Sequence, residues 1–197
     1  MTDSQMLLEL AEQNNGFITA AMVTDAGVSR GTLKHLSDTG RLERVSRGVY
    51  TLPGVWEDEF VSIQSRFKRG VFSLETALFL CDLTDRTPGR FHMAFPAAYN
   101  LSGPKRGGII CSSSKEPRHS LGVAVLRTPG GNDVRGYCAE RSLCDVLRPR
   151  NRTDAQVVTV AFKRYVSRRE RDIPKLSEYA RKLRVEGRLR AYLEVLL

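Results

Sequence analysis

The 197-residue sequence predicts an α+β fold, on three observations. Three short, capped helical stretches followed by two strand-like runs occupy residues 1–56. Strand-like runs separated by Pro, Gly and Ser lie between residues 91 and 137. Amphipathic helical stretches fill the last third of the chain. We therefore expect a small domain over residues 1–56 and a larger mixed domain over residues 57–197, with a small sheet and a C-terminal set of helices.

The first segment has the pattern of a helix-turn-helix. One helix is predicted over residues 5–13, before an Asn-Asn-Gly stop. Thr19 caps a short second helix that ends before Gly27, and Ser29 caps a third helix over residues 30–39. Two short helices joined by a tight turn with glycine have the geometry that presents the second helix to a DNA groove. The apolar stripe of the first helix consists of Met6, Leu7, Leu10 and Ala11.

The third helix and the hairpin after it carry all the basic side chains of residues 1–56. Leu33 and Leu36 lie three residues apart and face the core, so the polar face is exposed. The runs RLERV and GVYTL predict two strands around a turn at residues 46–48, which makes a wing. This distribution predicts a winged helix-turn-helix that binds DNA; the alternative is a winged helix used for protein contact. The candidate DNA-binding residues are Ser29, Arg30, Thr32, Lys34, His35, Arg41, Arg44 and Arg47.

Each part of this surface has an expected role. Arg30, Thr32, Lys34 and His35 reach base edges and phosphates from the helix, while Arg44 and Arg47 anchor the wing on the backbone. Two molecules are expected on an inverted repeat.

The chain is basic, but the excess charge lies outside the first segment. There are 31 Lys and Arg against 22 Asp and Glu, a formal net charge of +9. Residues 1–56 hold five basic and six acidic side chains, whereas residues 148–190 hold fourteen basic and five acidic ones. The second cluster is a solvated helical face, a docking surface for an acidic partner, or a second contact with the DNA backbone, and the sequence does not choose among them.

The larger domain starts with a helical stretch from residue 57 to about residue 69, then a helix headed by Ser73. The strand-like runs FHMAF, GIICS, LGVAVLR and VRGY predict a mixed or antiparallel sheet, and GPKRGG between them predicts a loop. In ERSLCDVL, Arg141 and Asp145 are spaced to pair on one helix, and Glu140 suits the helix N-terminus. The remaining helices are AQVVTVAFKRYVS, IPKLSEYARKL and GRLRAYLEVLL.

Several classes of protein lack support in the sequence. There is no basic leader and no apolar run near the roughly 20 residues that a membrane span needs, so we expect a cytoplasmic protein without membrane contact. We expect neither metal nor cofactor, and reduced, mostly buried thiols, because the four cysteines form no Cys-x-x-Cys pair and the three histidines are scattered. No Asp/Glu-x-Lys, Gly-x-Ser-x-Gly, Walker or His-Glu-x-x-His pattern occurs, so we expect no enzymatic activity. The cysteines are Cys81, Cys111, Cys138 and Cys144.

The order of these elements resembles the AbiEi antitoxin family over nearly the full length. The resemblance rests on GRLERVSRGVYTLPG, the helix headed by Ser73, ERSLCDVLR, LSEYARKL and YLEVLL. It implies a two-domain bacterial antitoxin of a type IV, abortive-infection system that protects against phage. In such systems the winged helix represses its own operon at inverted repeats, and the C-terminal domain neutralises an AbiEii-like nucleotidyltransferase toxin without requiring a stable complex.

Two other functions fit the same residues. One is a transcriptional regulator whose second domain senses a ligand or a partner. The other is a DNA-binding domain fused to a nuclease, which the absence of a carboxylate and lysine pattern disfavours.

Overall fold

The computed structural model describes residues 2–196 and has the α+β fold that the sequence predicts. The chain forms two compact units. One comprises the residues up to Lys68 together with Arg127–Val134, and the other comprises Arg69–Leu126 and the residues from Arg135 onward. The division of function between residues 1–56 and 57–197 stays a prediction.

The first unit begins with the three predicted helices and continues with the wing. Each helix starts at a capped residue: Thr2 forms a capping box with Gln5, Thr19 accepts from the Met22 N–H at 3.2 Å, and Ser29 accepts from the Gly31 N–H at 3.2 Å. The elements are α1 (Asp3–Gln13), β1 (Phe17–Thr19), α2 (Ala20–Asp25), α3 (Arg30–Asp38), β2 (Glu43–Ser46), β3 (Val49–Thr51) and α4 (Glu59–Arg66).

The strand β1 is an element that the sequence analysis missed. It pairs antiparallel with β3, which makes β3 the central strand of a three-stranded sheet in the order β1-β3-β2. The Ala20 N–H donates to the Gly48 carbonyl at 2.8 Å, so the start of α2 is also tied to the wing. Three residues are too few to show a period-two pattern, and β1 is recognised only through its partner. The core of this unit consists of Leu7, Ala11, Ile18, Val23, Val28, Leu33, Leu36 and Leu42.

A second feature of this unit joins residues distant in sequence. Asp58 caps α4 through one carboxylate oxygen, which accepts from the N–H groups of Phe60 and Val61 at 3.1 and 3.4 Å. Its other oxygen accepts from the Thr128 hydroxyl at 2.5 Å and from the Asn132 amide at 2.9 Å. The loop at residues 128–132 is therefore fastened to α4 by a buried carboxylate.

The second unit is built on a mixed five-stranded sheet in the order β6-β5-β4-β8-β7. β4 pairs antiparallel with β5 and parallel with β8, and β5 pairs parallel with β6. The strands are β4 (Val71–Phe72), β5 (His92–Pro96), β6 (Ile110–Ser114), β7 (Val123–Arg127) and β8 (Asp133–Tyr137). The helices are α5 (Leu74–Leu80), α6 (Ser102–Arg106), α7 (Ala139–Val146), α8 (Ala155–Val166), α9 (Ile173–Leu183) and α10 (Glu186–Leu196), with a 3₁₀ turn at Pro149–Asn151.

The helix α7 lies at the centre of this unit and packs against α5, α8 and α9. The charges of its ERSLCD segment are buried and satisfied, and the i, i+4 spacing predicts the first of its two ion pairs. Arg141 pairs with Asp145 at 2.8 Å, and Glu140 pairs with Lys175 at 2.9 Å. The predicted helix GRLRAYLEVLL corresponds to α10, except for its last residue, Leu197, which lies outside the described residues.

Three details differ from expectation. The prediction of a loop at GPKRGG is wrong, because residues 102–106 form α6. Pro104 is tolerated because it lies in the first turn of this helix, and the Asn100 side chain accepts from the Ser102 N–H at 3.0 Å. Ser73 stands at the N-cap of α5, but its hydroxyl makes no capping hydrogen bond. The thiols are free, but only Cys144 is fully buried.

Candidate nucleic-acid interface

The helix α3 presents a polar face because its two leucines are used in the core. Leu33 and Leu36 are 2% and 0% exposed. Arg30, Lys34 and His35 are exposed on the opposite face, and Thr32 is half-buried at its edge. The major groove of B-DNA is wide enough to admit an α-helix, so a face of this kind is compatible with base contacts.

The N-terminal end of α3 is held in place by hydrogen bonds. Ser29 accepts the Gly31 N–H, which leaves its own hydroxyl proton free to be donated elsewhere. The Arg30 guanidinium donates through Nε and Nη2 to the Thr24 hydroxyl, both at 3.2 Å. This contact restrains a long side chain before any ligand binds, so less side-chain entropy is lost on binding. The sequence carries no signal for the pairing of Thr24 with Arg30.

The wing is a tight hairpin that carries exposed basic side chains and one exposed acid, Glu43. Ser46 pairs with Val49, so the turn consists of Arg47 and Gly48, and Gly48 has φ of +78°, which favours glycine. The register shifts by one residue between Arg44 and Ser46, a bulge that increases the local twist. The Arg44 Nε donates to the Ser46 carbonyl at 3.4 Å. Arg41, Arg44 and Arg47 are all exposed.

The five cations of α3 and the wing have no acidic partner within residues 2–196. Elsewhere in the same unit, Arg127 pairs with Asp133 at 2.7 Å, so ion pairs do form where an acid is in reach. Unpaired surface cations keep their full attraction for an external anion. The eight predicted contact residues thus lie on one continuous stretch of helix, connection and hairpin, with the five unpaired cations being Arg30, Lys34, Arg41, Arg44 and Arg47.

The basic cluster at residues 148–190 has a different character, because much of it is engaged inside its own unit. Arg164 pairs with Asp85, Lys182 with Glu178 and Arg181 with Glu186. Other members donate to backbone carbonyls, such as Arg188 to the carbonyl of Leu147 at 3.1 Å. These contacts favour structural roles for a large part of the cluster.

No group of three or more His, Cys, Asp or Glu side chains within residues 2–196 could hold a metal ion. In the same range, no helix combines the length and the apolar character needed to cross a membrane. Burial raises the pKa of both Cys81 and Cys144 to about 12, so these thiols stay protonated.

Among comparisons with known proteins, a family match covers the residues from α1 to the end of the wing. No curated protein matches the chain significantly. Among solved structures, the crystal structure of the RV2827C protein from Mycobacterium tuberculosis is similar to it, with 14% sequence identity and a TM-score of 0.46, over 98% of this chain and 81% of that chain. Residues 5–53, which run from α1 to the end of the wing, match the family described as a transcriptional regulator, AbiEi antitoxin. The amino-terminal segment of this chain, and not the chain as a whole, is therefore similar to the AbiEi family of antitoxin transcriptional regulators.

Proposed function

We propose that this protein is the antitoxin of an AbiE-like type IV system and represses its own promoter. Two molecules bind an inverted repeat, each with α3 in the major groove and the wing on the adjacent backbone or minor groove. The observation that carries the proposal is the set of five exposed, unpaired cations on α3 and the wing. The match of residues 5–53 to a regulator family supports it.

The side chains have separate tasks in this proposal. Lys34, His35 and Thr32 face base edges, and Ser29 offers its hydroxyl to a phosphate at the start of α3. Arg30, held on Thr24, contacts the backbone beside the groove. Arg41, Arg44 and Arg47 contact phosphates around the wing. Sequence preference then comes from the helix, and most of the salt dependence comes from the wing.

The second half of the proposal concerns the residues after the wing. The C-terminal domain neutralises a nucleotidyltransferase toxin of the AbiEii kind, in the cytoplasm, without catalysis by this chain and without the need for a stable complex. The family of residues 5–53 supports this half.

DNA binding is tested by fluorescence anisotropy with a duplex from upstream of the gene and a random duplex, over a range of salt concentrations. We expect Lys34→Ala to weaken binding to the upstream duplex by about 5- to 150-fold and to reduce sequence preference. We expect Arg47→Ala to weaken both duplexes and to lower the salt slope by about 0.9. Lys68→Ala is the matched control, because Lys68 is exposed in the same unit but lies outside α3 and the wing.

The pattern across the three variants decides the proposal. If Lys68→Ala weakens binding as much as Lys34→Ala and Arg47→Ala do, the interaction is a general charge effect and the proposed surface is wrong. If Lys34→Ala loses equally on both duplexes, α3 does not read bases.

Antitoxicity is tested separately, with the full chain carrying both Lys34→Ala and Arg47→Ala. It is expressed from an unrelated promoter in a host that also expresses the neighbouring toxin gene. Repression cannot act in this arrangement, so rescue of growth would assign antitoxicity to the rest of the chain. Growth arrest despite a folded, expressed variant would refute the second half of the proposal and leave the DNA-binding half standing.

A further inference from the structure

The second unit contains a cleft of about 560 Å³ whose lining includes four cationic and two serine side chains. It is bordered by the end of β6, the segment after it, the turn after α7, and α9. This volume lies in the range of small-ligand sites. The cationic and hydroxyl-bearing side chains of the lining are Ser113, Ser114, Lys115, Arg118, Arg150 and Lys182.

The charges around the cleft are not balanced. Within residues 2–196, Lys115, Arg118 and Arg150 have no acidic partner. Lys182 is bound to Glu178 at 2.5 Å. The one acid of the lining, Glu116, accepts from the Ser120 N–H at 3.1 Å. Beside the Lys182–Glu178 pair, three cations therefore line the cleft with only one carboxylate, Glu116, and the excess positive charge would be relieved by an anion.

The imbalance continues beneath the cleft. A narrow recess of about 20 Å³ shares Ser113, Ser114 and Arg150 with it and is also lined by Arg148. The Arg148 Nη1 lies 3.6 Å from the Oδ1 of Asp145. The other carboxylate oxygen, Oδ2, pairs with the Arg141 Nε at 2.8 Å. Two nearly buried guanidinium groups thus share one carboxylate. Burial, and next the charge of Arg150, lower the pKa of Arg148 below its usual value.

A buried hydroxyl in the recess also lacks a partner. Ser73 is 2% exposed, lines the recess, and its Oγ makes no hydrogen bond within the described residues. Buried polar atoms without a partner are uncommon in folded proteins, because the lost hydrogen bonds to water are not replaced. A recess of this volume has room for about one oxygen atom of a water molecule or a ligand, which could accept from Ser73.

From this arrangement we infer that the cleft binds a small anionic ligand with two or more phosphate groups, of the size of a nucleoside polyphosphate. A single carboxylate would balance only one of the cations, whereas a polyphosphate spans several of them. Guanidinium groups and hydroxyls are the donors that phosphate oxygens prefer. This inference is independent of the proposed DNA contacts, because every residue that carries it lies in the other unit.

The test is isothermal titration calorimetry of the full chain with pyrophosphate, adenosine triphosphate, inorganic phosphate and a short single-stranded DNA. We expect saturable binding of pyrophosphate and the triphosphate, weaker binding of phosphate, and a loss of about tenfold or more in the double variant Lys115→Gln with Arg150→Gln. Both side chains are exposed, so the fold should persist. The matched control is Arg169→Gln with Arg190→Gln, which removes the same charge from exposed positions outside the cleft.

Each other outcome overturns the inference. Absence of saturable binding by pyrophosphate and the triphosphate would show that the cleft is not a phosphate site. An equal loss in the control variant would show a general charge effect. If only the single-stranded DNA binds, and the cleft variant weakens it, the cleft contacts a nucleic-acid backbone and not a small ligand.

Discussion

Replacing Arg141 by Met should strongly destabilise the second unit, because Arg141 satisfies several buried groups at once. Its side chain is 3% exposed, and Nε pairs with Asp145 at 2.8 Å. Nη1 donates to the carbonyls of Arg118 and Leu121 at 2.8 and 2.7 Å. The guanidinium carbon also lies 4.2 Å from the centre of the Tyr137 ring.

The expected magnitude follows from what Met leaves behind. Of its two cationic partners, Asp145 keeps Arg148 at 3.6 Å, and the partly buried carbonyls of Arg118 and Leu121 lose the donor they share. Removing one partner of a buried ion pair costs about 3–5 kcal/mol. For a protein of this size, that cost corresponds to a fall in Tm of about 6–20 °C.

The assay is urea unfolding followed by far-ultraviolet circular dichroism, which reports mainly on the helices of the second unit. Arg127→Met is the control, since Arg127 also pairs with an aspartate at 2.7 Å but both side chains are more than half exposed. We expect its cost to be about 0–1 kcal/mol. The double variant of Arg141→Met with Asp145→Leu should cost about 1–3 kcal/mol less than the sum of the two single variants.

Two results would refute this reasoning. One is a cost for Arg141→Met no larger than that for Arg127→Met. The other is a double variant whose cost equals the sum of the single costs, since additivity would mean that the two side chains do not interact.

Two further predictions concern other buried carboxylates. Asp58→Ala should lower the free energy of unfolding of the first unit by about 2–4 kcal/mol, since it removes a helix cap and two hydrogen bonds to the 128–132 loop. Amide hydrogen exchange at residues 128–132 should become faster in this variant. Unchanged exchange there would contradict the role given to Asp58. Burial acts to raise the pKa of Glu140, but the hydrogen bonds it accepts from Lys175 and Tyr165 contribute to holding that pKa below its ordinary value of 4.5. A carboxyl group with a depressed pKa in the folded state stabilises the fold above pH 4.5, and this contribution is lost as pH falls through the folded-state pKa. Glu140→Gln should therefore reduce the acid sensitivity of unfolding measured between about pH 6 and pH 3. An identical pH profile for the variant would contradict this prediction.

Much of the candidate interface was predictable because its signals are local. The caps at Thr19 and Ser29, the spacing of Leu33 and Leu36, and the glycine at the wing turn each act within a few residues. They determine which side chains of α3 are exposed without any information from the rest of the chain. The pairing of Arg141 with Asp145 was equally predictable, because residues four apart on a helix are neighbours.

The remaining features depend on contacts between residues far apart in sequence. Val71 and Phe72 form a strand because β5 and β8 flank them, and Asp58 meets Thr128 across 70 positions of the chain. The cleft of the second unit combines the end of β6 with the turn after α7 and with α9, three segments that no spacing rule connects. The sequence by itself thus determined the helices, their caps and their exposed faces, since these follow from hydrogen bonds and packing within a few residues. Only the tertiary structure decided which strands pair and which charges are left without a partner, because both depend on what the folded chain brings together.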